Sequence, residues 1–276
     1  MAGSSPAISC RPTRAATSIS WRPGSAPQSP NPTYSERTKI LDATTRDRLA
    51  KVSTATLTTA LFKRGLRNQF LQDVSPVARK GRNMVGPAFT LRYIPAREDL
   101  NGLDVFQNPT HPQRVAIETC PAGHVLVIDS RKDARAASAG GILVTRLMVR
   151  GAAGIVTDGG FRDSPDIAAL PFPAYHNRPT APTNLIHHQA IAIDEPIGCG
   201  DVAVFPGDVV VGDDEGVVII PAAIAAEIAA EATEMTAFED FVTEEVAGGR
   251  SIVGLYPPTD PATGPRFKAW RERHGR

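Results

Sequence analysis

The residues with the most chemical content lie in one short run, Asp158-Gly159-Gly160-Phe161-Arg162-Asp163. A carboxylate at Asp163 can ligate a hard divalent cation, and the adjacent Arg162 can grip a carboxylate through a two-pronged hydrogen bond. Before the run, Ile155-Val156-Thr157 reads as a buried strand. After it, Ser164-Pro165-Asp166 reads as a helix start, with Ser or Asp to cap free amides and Pro where no hydrogen bond is lost. Gly159 and Gly160 let the chain turn through conformations that a residue with a Cβ resists. The Arg–Asp pair therefore falls on a loop between a strand's C-terminal end and a helix N-terminus, where open α/β sheets bind ligands. The same residues also suit a surface ion pair that helps cap the helix, and this stretch alone does not choose.

Other polar clusters carry less. Gly140-Gly141 precedes a helix predicted over 142–150, and its free amides could hold an anion, although an ordinary loop-to-helix turn has the same pattern. Asp213-Asp214-Glu215 has too few and too regular ligands for a calcium loop and reads as a solvated hairpin turn. Adjacent strand residues point to opposite faces, so His187-His188 is no metal pair; both, and His176, read as surface or loop histidines. Cys10, Cys120 and Cys199 are odd in number and widely spaced, which suggests a reducing compartment and no zinc site.

The elements that must position these residues follow from patterning. The chain has 276 residues, 42% hydrophobic and 21% charged, with net charge +1, which fits a soluble globular protein. Near-neutral charge leaves no footprint for nucleic acid, and the apolar run at 217–226 is too short to span a bilayer. Residues 1–38 are rich in Ser, Pro and Ala with no acidic residue before Glu36, and read as a disordered extension. A main domain over 39–250 and an extended, Pro-rich C-terminal tail over 251–276 follow. Leu49, Val52, Leu57 and Leu61 predict a helix ended by Lys63-Arg64-Gly65. Strands are expected at 85–93, 124–129 and 172–176, a long loop at 95–112, and a short helix at 113–119. Three β-branched runs between 202 and 220 predict successive strands. A helix from Pro221 to Gly248-Gly249 carries the stripe Ile224, Ile228, Met235, Phe238 and Val242.

Three features in one order carry a resemblance: Gly140-Gly141-Ile142-Leu143 opening a helix, Asp158 through Asp163, and Pro206-Gly207-Asp208 through Gly216-Val217-Val218-Ile219-Ile220-Pro221. Together with Gly86-Pro87-Ala88-Phe89-Thr90 they resemble the RraA-like family, which includes class II 4-hydroxy-4-methyl-2-oxoglutarate aldolases, over residues 53–247. The resemblance implies an α/β fold, a layered sandwich of the swivelling phosphohistidine-domain type. It also implies homotrimers or homohexamers with sites at subunit boundaries, and a cytoplasmic location. In the aldolase branch the Asp matching Asp163 holds a divalent metal, Mg2+ or Mn2+, and the Arg matching Arg162 contacts substrate oxygens. The loop matching Gly140, Gly141, Ile142 and Leu143 offers amides to the pyruvate carboxylate.

That family chemistry is cleavage of a C–C bond next to a 2-oxo acid, by aldol cleavage or decarboxylation of a substrate such as oxaloacetate. It leaves a pyruvate enolate whose charge a metal and Arg162 would stabilise. Two departures bear on the substrate: Gly141 stands where the aldolases carry an acidic residue, and Thr59 stands where Asp often precedes Ala60-Leu61. An insert over 95–114 is also unlike the compact aldolases. The expectation is therefore a metal-dependent lyase of a 2-oxo acid, with Arg162 and Asp163 catalytic. The alternatives are a non-catalytic, protein-binding regulator of ribonuclease activity and a sugar-acid dehydratase using His176 or Asp133 as acid or base.

Overall fold

The computed structural model describes residues 41–276; the predicted extension over 1–38 lies outside the described residues. Two helices come first, α1 (Ala43–Leu49) and α2 (Thr54–Phe62). The apolar spacing predicts one helix, but Ser53 takes an extended conformation and starts a second by accepting a hydrogen bond from the Thr56 amide at 3.1 Å. Next come β1 (Ser75–Pro76), β2 (Met84–Pro95), α3 (Pro112–Thr119), β3 (Val125–Asp129), β4 (Ala137–Ala139) and α4 (Gly141–Val149). They are followed by β5 (Gly154–Thr157), β6 (Gly160–Phe161), α5 (Ser164–Ala169), β7 (Ala174–His176) and β8 (Arg178–Pro179). The chain continues through β9 (His188–Ile193), β10 (Ile197–Cys199), β11 (Val202–Val204), β12 (Val209–Gly212) and β13 (Val217–Ile220). Two helices close it, α6 (Ala225–Ala247) and α7 (Thr263–His274).

The eight-stranded main sheet runs β1-β7-β5-β3-β2-β12-β13, with β9 also on β2. Its centre is parallel, because β2, β3, β5 and β7 are joined by crossovers carrying α3, α4 and α5. Its other pairings, β1 to β7, β2 to β12 and to β9, and β12 to β13, are antiparallel. Side chains alternate between two cores. Leu126 and Ile128 of β3 face an outer core beneath α3, α4 and α5, with Leu91, Ile117, Val144 and Phe161. Val125 and Val127 face an inner core, which β12, β13 and the β10–β11 hairpin complete through Val210, Ile219 and Val204. A sheet whose two arms share one inner core is curled, nearly closed and barrel-like, and the molecule is mixed α/β as expected.

The other arm's outer face, Val209, Val211, Val218 and Ile220, is covered by α1, α2 and α6 through Leu49, Leu57 and Ile228. The acidic turn between β12 and β13 is not merely solvated. Asp213 accepts hydrogen bonds from the Thr54 amide at 2.7 Å and hydroxyl at 2.9 Å, tying the hairpin to the start of α2. The C-terminal segment read as an extended tail instead contains α7. This helix lays Trp270 and Phe267 against Phe238 and Phe241 of α6. Among the described residues no helix is long and apolar enough to cross a membrane.

Candidate functional site

The site is built where β4 and β5 end. β5 is buried throughout and delivers the chain to β6, which pairs in parallel with β4 and β8 in a small separate sheet. Gly159, between β5 and β6, and Gly160, the first residue of β6, serve close approach and not an unusual turn. A Cβ on Gly159 would lie 2.6 Å from the Ser130 Cβ, and one on Gly160 would lie 2.3 Å from the Thr180 Cγ2. The unusual conformation falls on Asp163, which is left-handed at φ 58°, ψ 35°, a state that a short polar side chain tolerates and that often marks a functional position.

Asp163 precedes α5, yet its side chain makes no hydrogen bond to that helix. Instead its Oδ2 accepts from the Gly141 amide at 3.1 Å, at the open N-terminus of α4, where Gly140 offers no side-chain cap. The Arg162 Nε stands 3.6 Å from the same oxygen, too far for a hydrogen bond but close enough for charge attraction. Among the described residues Oδ1 of Asp163 accepts no hydrogen bond. The closeness of the two loops explains the glycines: a Cβ on Gly140 would meet the Arg162 Cγ at 2.7 Å and Asp163 Oδ2 at 2.9 Å, and one on Gly141 the Asp163 Cβ at 3.3 Å. An acidic side chain at position 141 would have to grow from that crowded point.

Gly140, Ile142, Leu143, Arg162 and Asp163 line one cleft of about 270 Å³. Sequence reasoning thus named part of the lining. The rest of the lining it missed: Phe106, carried by a 3-10 turn at Leu103–Gln107, Gln113 and Arg114, carried by α3, and Asn184 from a second 3-10 turn. The long loop over 95–112 was the only signal for it, and nothing marked Asn184. Gln113 anchors the insert by donating to the Tyr93 hydroxyl at 3.0 Å and the Ser138 carbonyl at 2.8 Å, while Tyr93 itself donates to Ser138 at 2.9 Å.

The proposed acid–base residues of a dehydratase do not line this cleft. Asp133 is gripped by Arg135 at 2.9 and 2.8 Å, which holds its carboxyl well below the usual range. His176 lies on β7, 5% exposed and stacked 5.6 Å from Phe161, and burial pushes its imidazole down to about 4. It lines an adjacent groove that also touches Asp163. The expectation that these histidines lie at the surface fails for His176 and for His188, which is fully buried on β9 against the Tyr93 ring. His187 stays half-buried, 3.8 Å from Asp133. The apolar cores around them come from distant parts of the chain. Behind the site, burial raises Asp158 to about 6 even though it accepts from the Ser130 amide at 2.7 Å, Lys132 at 3.1 Å and Gly200 at 3.2 Å.

Among the described residues no three His, Cys, Asp or Glu side chains gather around a cation position. A site supplied by this cleft would therefore rest on the unpaired Oδ1 of Asp163, with other positions left to water and ligand oxygens. That set suits magnesium or manganese, which keep several waters and need one or two carboxylates, and does not suit zinc.

A family model described as RraA-like, Aldolase/RraA, matches residues 50–219, which include the cleft. A protein of Halalkalibacterium halodurans, provisionally named a 4-hydroxy-4-methyl-2-oxoglutarate aldolase, is 39% identical over 100 residues, 36% of this chain and 47% of that protein. A Methanocaldococcus jannaschii protein is 34% identical over 117 residues, 41% of this chain and 54% of its own length. The chain thus spans about half the length of these two relatives. Among solved structures, one from Streptomyces coelicolor is described as an unusual member of the RNase ES inhibitor RraA protein family. It is 31% identical, with a TM-score of 0.64, covering 72% of this chain and 96% of that one.

Proposed function

This chain belongs to the RraA-like family, and on that premise we propose that it is a divalent-metal-dependent lyase that cleaves or decarboxylates a 2-oxo acid. One observation carries the reading: a single cleft gathers the unpaired Oδ1 of Asp163, the Arg162 guanidinium and the open N-terminus of α4. The name given to the Halalkalibacterium relative supports an aldolase-type reaction.

The division of labour follows from the geometry. Free amides at the start of α4, behind Gly140, suit a carboxylate, since the helix dipole and unpaired N–H groups both favour negative charge. The Gly141 amide fixes Asp163 through Oδ2 and leaves Oδ1 without a hydrogen bond among the described residues, so that it would be the oxygen to hold a cation. A bound Mg2+ or Mn2+ would supply Lewis acidity toward the negative charge that C–C cleavage leaves on the oxo acid. Arg162, half-exposed beside Asp163, adds a fixed positive charge at the same place. Family membership supports an assembly in which a second copy completes the site, as in the trimers or hexamers that the resemblance implies. The same membership supports the swivelling phosphohistidine-domain type of fold and a cytoplasmic location.

Pyruvate release from oxaloacetate tests the proposal. Release that requires Mg2+ or Mn2+, stops with chelator and is lost in Asp163→Ala is expected. Full activity in that variant would sink the assignment. The description of the Streptomyces structure favours a second reading, a protein-binding regulator of ribonuclease activity. That reading predicts no metal-dependent turnover at all.

A further inference from the structure

Two further polar groups line the same cleft with nitrogens that make no hydrogen bond or ion pair among the described residues, Arg114 and Asn184. Arg114 is half-buried on α3, with its guanidinium 5.2 Å from the centre of the Phe106 ring. No Asp or Glu among the described residues forms an ion pair with it. Such a cation over an aromatic face is oriented without being neutralised. Asn184 is 4% exposed and lines the same cleft, and its side-chain Nδ2 has no hydrogen-bond partner. A buried amide nitrogen left unpaired costs stability unless a ligand or water satisfies it.

A pyruvate unit held by Asp163, Arg162 and the α4 amides would fill only part of a cleft of about 270 Å³. We propose that Arg114 and Asn184 form a second anchor that binds an anionic oxygen group, carboxylate or phosphoryl, at the far end of the substrate. For the near end this rests on the lyase proposed above. The insert over 95–114 is then a specificity element. Its turn at Leu103–Gln107 brings in Phe106, the ring fixes the Arg114 guanidinium, and the Gln113 bonds to Tyr93 and Ser138 tie α3 to the sheet. The substrate in the name of the Halalkalibacterium relative already carries a carboxylate at each end; on this proposal, the insert in this chain reads the far one.

Calorimetric titration of the whole protein, with Mg2+ present, tests this with three probes: pyruvate, 2-oxoglutarate and 2-oxo-4-phosphonobutanoate. Arg114→Met keeps an apolar stem over Phe106 and removes the charge. The wild-type protein is expected to bind one of the two-ended ligands more tightly than pyruvate, and which one identifies the group as carboxylate or phosphoryl. Arg114→Met should weaken that ligand by about tenfold or more, the loss of a charge-assisted bond, and leave pyruvate almost unchanged. Asn184→Leu, close in volume, should weaken the same ligand by a smaller factor. Two-ended ligands that bind no better than pyruvate, or an Arg114→Met variant that weakens all three alike, would overturn the proposal. Asp163→Ala separates the two readings. Weakened binding of all three ligands supports the near-end assignment. If Asp163→Ala changes nothing while Arg114→Met keeps its selective effect, the far-end anchor stands and the lyase reading falls.

Discussion

Gly140→Ala is the most informative small change, because the new atom lands between the two groups on which the proposed chemistry depends. Its Cβ would sit 2.7 Å from the Arg162 Cγ and 2.9 Å from Asp163 Oδ2. Carbon pairs settle near 3.5–4.0 Å, so Arg162 must retreat by about 1 Å, and Asp163 with it. A displacement of about 1 Å in an active site costs roughly a hundredfold in turnover. Gly141→Ala is the matched control. Its Cβ would come no nearer than 3.3 Å, to the Asp163 Cβ, a crowding relieved by a few tenths of an ångström, so a loss below about tenfold is expected. Overpacking should cost each variant about 1–3 kcal/mol, which urea unfolding would measure separately. The assay is steady-state pyruvate release from oxaloacetate at saturating Mg2+. Equal losses in the two variants, or wild-type turnover in Gly140→Ala, would refute the claim that the approach of these loops sets the site.

Two further predictions concern the frame of the site. Burial raises Asp158 from its ordinary value of 3.8 to about 6, so the folded state holds a proton that the unfolded chain has released. Its contribution is fully present below pH 3.8 and is lost as pH rises through about 6, an effect on the order of 3 kcal/mol. Asp158→Asn turns an amide toward the Lys132 and Gly200 donors, so its destabilisation should be largest near pH 4 and shrink by about 3 kcal/mol by pH 7 in denaturant titrations. A destabilisation constant over that range would contradict the assignment. His176 is buried with Nδ1 unpartnered, so His176→Phe should match or exceed the wild type in stability, by up to about 1–3 kcal/mol. Pyruvate release should be unchanged, and a large loss would return His176 to the chemistry.

The frame was legible where one stretch of sequence decides the outcome. β3 and β5 follow from short β-branched runs, and β12 and β13 from two such runs around an acidic turn. The loop carrying Arg162 and Asp163 was legible as a strand-to-helix junction for the same reason. What lay outside sequence reading is what distant residues decide together. The Gly141–Asp163 bond joins residues 22 apart, and the left-handed turn at Asp163 gave no local signal. His176 and His188 look polar in sequence, but the rings of Phe161 and Tyr93 pack on them from other strands. α7 has little apolar periodicity; a few aromatics meeting Phe238 and Phe241 hold it against α6. Arg114 and Asn184 line one cleft although they lie far apart in the sequence, on α3 and on a separate 3-10 turn.

The central claim is that Asp163 holds the divalent cation on which turnover depends. Titration of the protein with Mn2+, read by the loss of the free-ion electron paramagnetic resonance signal, addresses it without presupposing a substrate. The account predicts a saturable site that disappears in Asp163→Asn, a change that keeps the side chain's shape and removes its charge. Mn2+ binding of equal affinity in Asp163→Asn, or no saturable binding by the wild-type protein, would contradict it.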